Sequence, residues 1–322
     1  KTHRIHLEKP MHIFISGSLA YDRIMDFPGR FVDHILPEKI HILNVCFMVN
    51  GLTERFGGTA GNIAFNLALL EEKPVILATG GRDFGLYQDW LAGLGLPLTG
   101  IRLIDEEFTA GAYITTDLAD NQITGFNPGA MKHQSEFSFD SVNPQDSLAI
   151  IAPGNLEDML AYSRRYKELL LPYIFDPGQS IPAWGPVELR EMATGALALI
   201  MNDYEQEMFR QKTGLAESDL KELVEILIIT KGEEGSELIG PDGREVIPPA
   251  KPRRVTDPTG AGDAYRAGLM KGLTLGIRWG TAALMGSTLA SFAVEQAGTQ
   301  EHRFNLADFW RRYRDNFGNP PV

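Results

Sequence analysis

One stretch constrains this chain more than any other: Asp257-Pro258-Thr259-Gly260-Ala261-Gly262-Asp263, running on into Ala264, Ala267, Leu269 and Met270. Asp-Pro is turn chemistry, and the apolar spacing after the two glycines suits a buried helix. A glycine turn feeding a helix start leaves the first N–H groups without helical acceptors and the positive end of the dipole outward. That combination holds an anion such as phosphate. Asp263 sits inside the turn. A carboxylate beside an anion hole is electrostatically unwelcome as decoration, but a general base must stand there to take a proton from a hydroxyl attacking phosphorus. The competing reading is structural, with Gly-Ala-Gly allowing close helix packing and Asp263 capping the helix. The stretch is not a P-loop, because no Gly-Lys-Ser/Thr ends it. It is not a dinucleotide fingerprint either, because Tyr265 stands where the third glycine belongs.

A net charge of -12 argues against a nucleic-acid or anionic-membrane surface, so an anion bound at this turn is expected to be a small molecule. The single cysteine, Cys46, can form no internal disulfide, which suits a reducing compartment. No apolar run approaches the roughly 20 residues of a membrane helix. A cytoplasmic protein is the expectation. Lys1 to Pro10 are polar and read as a tag or loose tail ahead of the domain 11–322.

In chain order, His12 to Ile15 is a short apolar strand stopped by Gly17, with Ser18 and Asp22 just beyond it. Ligands of open α/β sheets sit outside the carboxyl ends of strands, so Asp22 is placed to hold sugar hydroxyls, against the commoner fate of a solvated loop Asp. From Phe27 to Phe56 the pattern turns β-rich, with Ile40, Ile42, Val45, Phe47 and Val49 in partial alternation and no helix evident. A second β-rich patch spans 111–116 and 122–126. These two insertions, about 23–56 and 106–128, predict a small separate sheet acting as a lid.

Gly57-Gly58 and Asn62 open a helical stripe through Ile63, Ala64 and Leu67, and Asn62 can offer donor and acceptor to a diol. Packing alone would explain the same small residues. Strands are then expected at 75–78, 148–152, 173–176, 197–201 and 225–230, with helices at 83–94, 156–170 and 186–193. Such alternation predicts a three-layer αβα, doubly wound, mostly parallel sheet. Asn202 and Glu205, right after a strand, can organise a Mg²⁺ water shell or simply cap the next helix. Thr230, Gly232 and Gly235 form a second glycine turn at a strand end, and Pro241-Asp242-Gly243 signals a hairpin. Helices 277–294 and 305–317 close the chain.

The ordered set Gly17-x-x-x-x-Asp22, Gly57-Gly58-x-x-x-Asn62, Asn202-x-x-Glu205, Thr230-x-Gly232-x-x-Gly235 and Asp257-x-Thr259-Gly260-Ala261-Gly262-Asp263 resembles the ribokinase-like (PfkB) carbohydrate and nucleoside kinases. Within that family, Phe27-Pro28-Gly29-Arg30-Phe31, Asn127 to Met131 and Gly298-Thr299-Gln300-Glu301 look like the bacterial adenosine kinases. The resemblance implies that Asp263 is the base and that the amides of Gly260, Ala261 and Gly262 form the anion hole. It implies that Asp22, Asn62 and Gly58, beside Ser18, hold ribose hydroxyls, with Phe126 on a purine and Gln179 as a polar base contact. Asn202 and Glu205 would organise Mg²⁺ and phosphate, with Thr230, Gly232 and Gly235 along ATP. Asp257 and Thr259 resemble positions that bind a monovalent cation such as K⁺. The sequence departs from its relatives at Gly111, Ala112 and Tyr113, where a second aromatic can stand. The implied activity is ATP-dependent phosphorylation of adenosine, with a furanose kinase as runner-up and a nucleoside-binding regulator as the non-enzyme alternative. Lid strands of similar proteins pair between subunits, so a homodimer is expected.

Overall fold

The computed structural model describes residues 11–321, so the expected tail of residues 1–10 lies outside the described residues. Strands β1 (His12–Ser16), β4 (Val75–Gly81), β5 (Ile101–Ile104), β8 (Ser147–Ile151), β9 (Tyr173–Phe175), β10 (Ala198–Asn202), β11 (Ile226–Thr230), β12 (Ser236–Gly240) and β13 (Gly243–Ile247) build one sheet in the order β13-β12-β11-β10-β9-β8-β1-β4-β5. It is parallel from β5 to β11, and only the β12–β13 hairpin edge is antiparallel.

Side chains divide between the two faces with the period of two that a pleated strand imposes. Ile13, Ile15, Leu148 and Ile150 enter one core with helices α1 (Thr59–Leu69), α7 (Ala261–Thr274), α8 (Trp279–Ala293) and α9 (Leu306–Phe317). Tyr87 and Leu91 of α2 (Gly85–Gly93) join it. Phe14, Ala149 and Ile151 enter the other core, against α3 (Leu156–Leu169), α4 (Pro186–Ala193), α5 (Asp203–Thr213) and α6 (Glu217–Leu223). The chain reverses its direction of travel across the sheet between β1 and β8. Such a switch point opens a crevice at the carboxyl ends of the strands.

A second sheet stands apart, formed by β2 (Ala20–Asp26), β3 (Leu52–Gly57), β6 (Ala110–Thr116) and β7 (Gln122–Asn127) in the order β3-β2-β6-β7. Both expected insertions contribute to it, but the strand reading of Ile40 to Val49 is corrected. Residues 31–33 and 37–42 form 3₁₀ turns, and 43–51 belong to no strand. Pro37 presets the turn, and Ile40 and Ile42 lie largely in solvent with no neighbouring strand to pack on. The segment docks instead through Phe27, Phe31 and Phe47, while the buried Asp117 carboxylate accepts from the N–H of Phe31 at 2.9 Å.

Candidate active site

A cavity of about 420 Å³ lies at the carboxyl ends of β9, β10 and β11, beside the start of α7. Asp263, Gly260, Gly262, Gln179, Asn202, Glu205, Thr230 and Gly232 line it, together with Asp176 and Arg266. Gly260 starts α7 at φ +80°, and a Cβ there would meet Thr299 Cγ2 at 2.9 Å. Gly260→Ala is expected to cost on the order of 1–3 kcal/mol of folding stability and to lower turnover, read by urea unfolding and an activity assay.

The turn leaves the N–H groups of Gly260, Gly262 and Asp263 without protein acceptors among the described residues. Ala261 departs from the expected set, because its N–H donates to the Pro258 carbonyl at 3.2 Å. An i→i+3 bond of that kind tightens the helix entrance and takes one donor away from an anion. The capping role fails for Asp263, since α7 has no side-chain cap. Its Oδ2 instead accepts from Asn62 Nδ2 at 2.8 Å, joining residues 201 apart in sequence.

Burial pushes Asp263 up to about 7, against the opposing pull of Arg266 and the Asn62 hydrogen bond. Asp176 is raised by burial to about 6 and so remains ionised at neutral pH beside the charged Arg266. Arg266 Nη2 donates to Asp176 Oδ1 at 2.7 Å, and its Nε lies against Oδ2 without hydrogen-bond alignment. Neither partner is flagged by local sequence. The available signals are a polar residue in the apolar stripe of α7 and an Asp closing an apolar strand.

Asn202 and Glu205 meet the capping reading. Asn202 Oδ1 accepts from Glu205 N at 2.7 Å and Glu205 Oε2 accepts from Asn202 N at 2.8 Å, a capping box that also holds the carboxylate at the cavity wall. Thr230 pairs with Asn202 at the strand ends. Gly235, at φ +89°, closes the turn before β12 and does not line the cavity.

The remaining positions sort by location. Ser18 is absorbed by the start of α1, where its Oγ accepts from Thr59 N at 3.0 Å. Gly58 is the residue before α1, at φ +87°, and a Cβ would stand 2.5 Å from the Ser18 carbonyl oxygen. Asp22 lies on β2, raised from its ordinary value by burial with Arg55 opposing. Register places Arg55, Asp22, Ala112 and Phe126 in one row across the lid, on a common face. Phe126 is 53% exposed, so it does not serve core packing.

Asp257 ties the glycine turn to the loop after α8. Its Oδ1 accepts from Thr259 N at 2.9 Å and its Oδ2 from Gly298 N at 3.1 Å. Burial would raise it, but these bonds outweigh burial and hold it below the usual carboxylate value. Among the described residues no group of three or more acidic, His or Cys side chains could cage a metal. Mg²⁺ is a different case, because it keeps its waters and takes one or two carboxylates with substrate phosphates. Glu205 and Asp203 at the cavity wall fit that demand.

A large, mostly parallel α/β sheet with a separate four-stranded sheet is the ribokinase-like fold, and solved structures match it over nearly their whole length. The chain belongs to the pfkB family of carbohydrate kinases, whose family model matches residues 29–304. A nucleoside kinase of Methanocaldococcus jannaschii is 34% identical over 266 residues, which cover 82% of this chain and 87% of that relative. The structure of Burkholderia thailandensis nucleoside kinase in complex with inosine is 37% identical, with a TM-score of 0.84 over 96% of this chain and 99% of that one. The crystal structure of the M. jannaschii enzyme gives 0.85 at 30% identity, covering 95% of this chain and 99% of that one.

Proposed function

We propose that the protein transfers the γ-phosphoryl group of ATP to the 5′-hydroxyl of a purine nucleoside, with adenosine as the favoured acceptor. The observation that carries this is the 2.8 Å contact of Asn62 with Asp263 beside unpaired helix N–H groups. It supports reading the Asn62 amide, the Asp263 carboxylate and these N–H groups as parts of one site.

Asp263 takes the hydroxyl proton, the oxygen bonds to the γ-phosphorus, and the bond to the bridging oxygen breaks to release ADP. The N–H groups of Gly260, Gly262 and Asp263 face the charge on the transferring group, and positioning supplies most of the rate. Mg²⁺ bound with the nucleotide neutralises phosphate charge, and Glu205 with Asp203 would hold its water shell. Thr230 and Gly232 flank the nucleotide. The small Ala112 between Asp22 and Phe126 leaves room for a sugar on the first and a base on the second, two strand spacings or about 10 Å apart.

The nucleoside kinases among its relatives support a nucleoside over a free sugar. Assays with adenosine, inosine, guanosine, ribose and fructose separate the readings, and a preference for a free sugar overturns this one. A regulator without turnover would show nucleoside binding and no ADP release. The free edges of β3 and β7 in the lid sheet support pairing with the lid of a second copy, testable by sedimentation.

The base must be ionised to act, and its value is about 7 in the ligand-free protein. Below that point kcat/KM is expected to fall about tenfold per pH unit, measured as a pH–rate profile.

A further inference from the structure

We infer that Trp90 and Gln300 are positioning residues that fix the direction in which the Asn62 amide faces Asp263. The inference rests on Asp263 being the base. Trp90 Nε1 donates to Gln300 Oε1 at 2.9 Å. An indole N–H is a donor only, so the atom of Gln300 that faces it must be the carbonyl oxygen. The NH₂ of Gln300 is thereby turned the other way, where it donates to Tyr87 OH at 2.6 Å and to Asn62 Oδ1 at 3.1 Å. Tyr87 cannot return the bond, because its hydroxyl hydrogen goes to the Gly57 carbonyl at 2.8 Å. With Oδ1 of Asn62 occupied, its Nδ2 is left for Asp263 Oδ2.

A donor-only group thus stands at one end of the chain and an acceptor-only carboxylate at the other. Neither amide between them can flip without setting two acceptors or two donors face to face. Water cannot repair a flip of the Gln300 amide, which is 1% exposed. The consequence is for the second carboxylate oxygen. With Oδ2 held by Asn62, Oδ1 is free to receive a proton from the substrate. Turning the Asn62 amide round would oppose two oxygens, an arrangement relieved only when Asp263 is protonated and useless as a base.

The charged and titratable groups facing Asp263 are Arg266 on its own helix, Asp176 after β9, Glu205 on α5 and Tyr87 on α2. Of these only Tyr87 touches the Trp90–Gln300 arm, and burial holds its hydroxyl far above the ordinary value, so it stays neutral throughout. Substitutions there therefore act on Asp263 through Asn62 and the neutral Tyr87 hydroxyl, apart from any charge they add.

The test measures kcat/KM against pH for four variants, with thermal melting as the check on folding. Gln300→Met removes the donor without adding charge, and the acid limb is expected to move up by about half a pH unit. Gln300→Glu reverses the polarity, and the limb is expected to rise by about one unit, a loss of about tenfold at pH 6 with little change at pH 9. Trp90→Phe leaves Gln300 in place but removes the group that orients it, and it is expected to shift the limb in the same direction. It decides the matter if the Gln300 variants do not fold. Equal loss at every pH, or no shift, in the folded variants overturns the inference. Asp263→Asn separates the two levels. If it abolishes turnover while the limb stays fixed in the others, the base stands and the positioning role falls; if turnover survives it, both fall.

Discussion

Asp263→Asn is expected to lower kcat by about 10³-fold, within the 10²–10⁴ that a general base contributes, while the melting temperature rises. The two signs come from one cause. A carboxylate with an ordinary value of 3.8 in the unfolded chain and about 7 when buried binds its proton more tightly in the folded state. Between those values the folded protein holds a proton that the unfolded chain has lost, so stability falls as pH rises and the full penalty is reached above about 7. Asparagine removes the ionised form and with it the penalty. It keeps an oxygen that can accept from Asn62. A gain of about 2–5 °C is expected at pH 8, shrinking toward pH 5, in scanning calorimetry run beside steady-state kinetics and nucleoside titration. Nucleoside affinity is expected to change little. A fall in melting temperature at pH 8 would mean that the carboxylate serves the fold, and unchanged kcat would remove it from the chemistry.

The glycine turn before Asp263 was legible because its chemistry is local. Asp257, Pro258 and the two glycines need only their neighbours to set a turn and a helix start. The strands at 12–16, 147–151 and 226–230 were legible for the related reason that buried parallel strands are short apolar runs. Ile40 to Val49 shows the limit of that signal. β-Branched residues favour strands only where a partner strand and a packing face exist, and here the neighbours are Pro37 and solvent. Helix α6 and strand β5 went unread, and α5 was read only at its cap, because their polar faces hide the periodicity. The Asn62 contact was half legible, since the residue was expected near a sugar but its bond to Asp263 depends on how two distant helices meet. Gln300 carried a resemblance without a role. Its function exists only once α2 brings Trp90 to it. Asp176 and Arg266 are separated by 90 positions, and nothing in either neighbourhood announces the other.

Arg266→Met is expected to destabilise the protein by about 3–5 kcal/mol, the usual consequence of leaving one partner of a buried ion pair alone. The side chains of Arg266 and Asp176 are 8% and 3% exposed, so neither can turn to water once its partner is gone. Asp176 is already raised to about 6 by burial, and losing the guanidinium drives it higher. Its penalty is carried by the ionised form, so the variant is expected to be weaker relative to the parent at pH 8 than at pH 5. The paired substitution Asp176→Leu with Arg266→Met removes both charges, and most of the lost stability is expected to return, because an apolar pair of similar volume can replace a buried ion pair. Turnover is not expected to return with it. Arg266 is the one cationic side chain among the described residues lining the cavity, where Asp263, Glu205 and Asp176 stand with two or more negative charges before any phosphate enters. Without it the base is raised further and the nucleotide's phosphates meet uncompensated carboxylates. Recovery of stability and of kcat together in the double variant would assign the pair to folding alone; recovery of stability without kcat separates what Arg266 does for the fold from what it does for the anion.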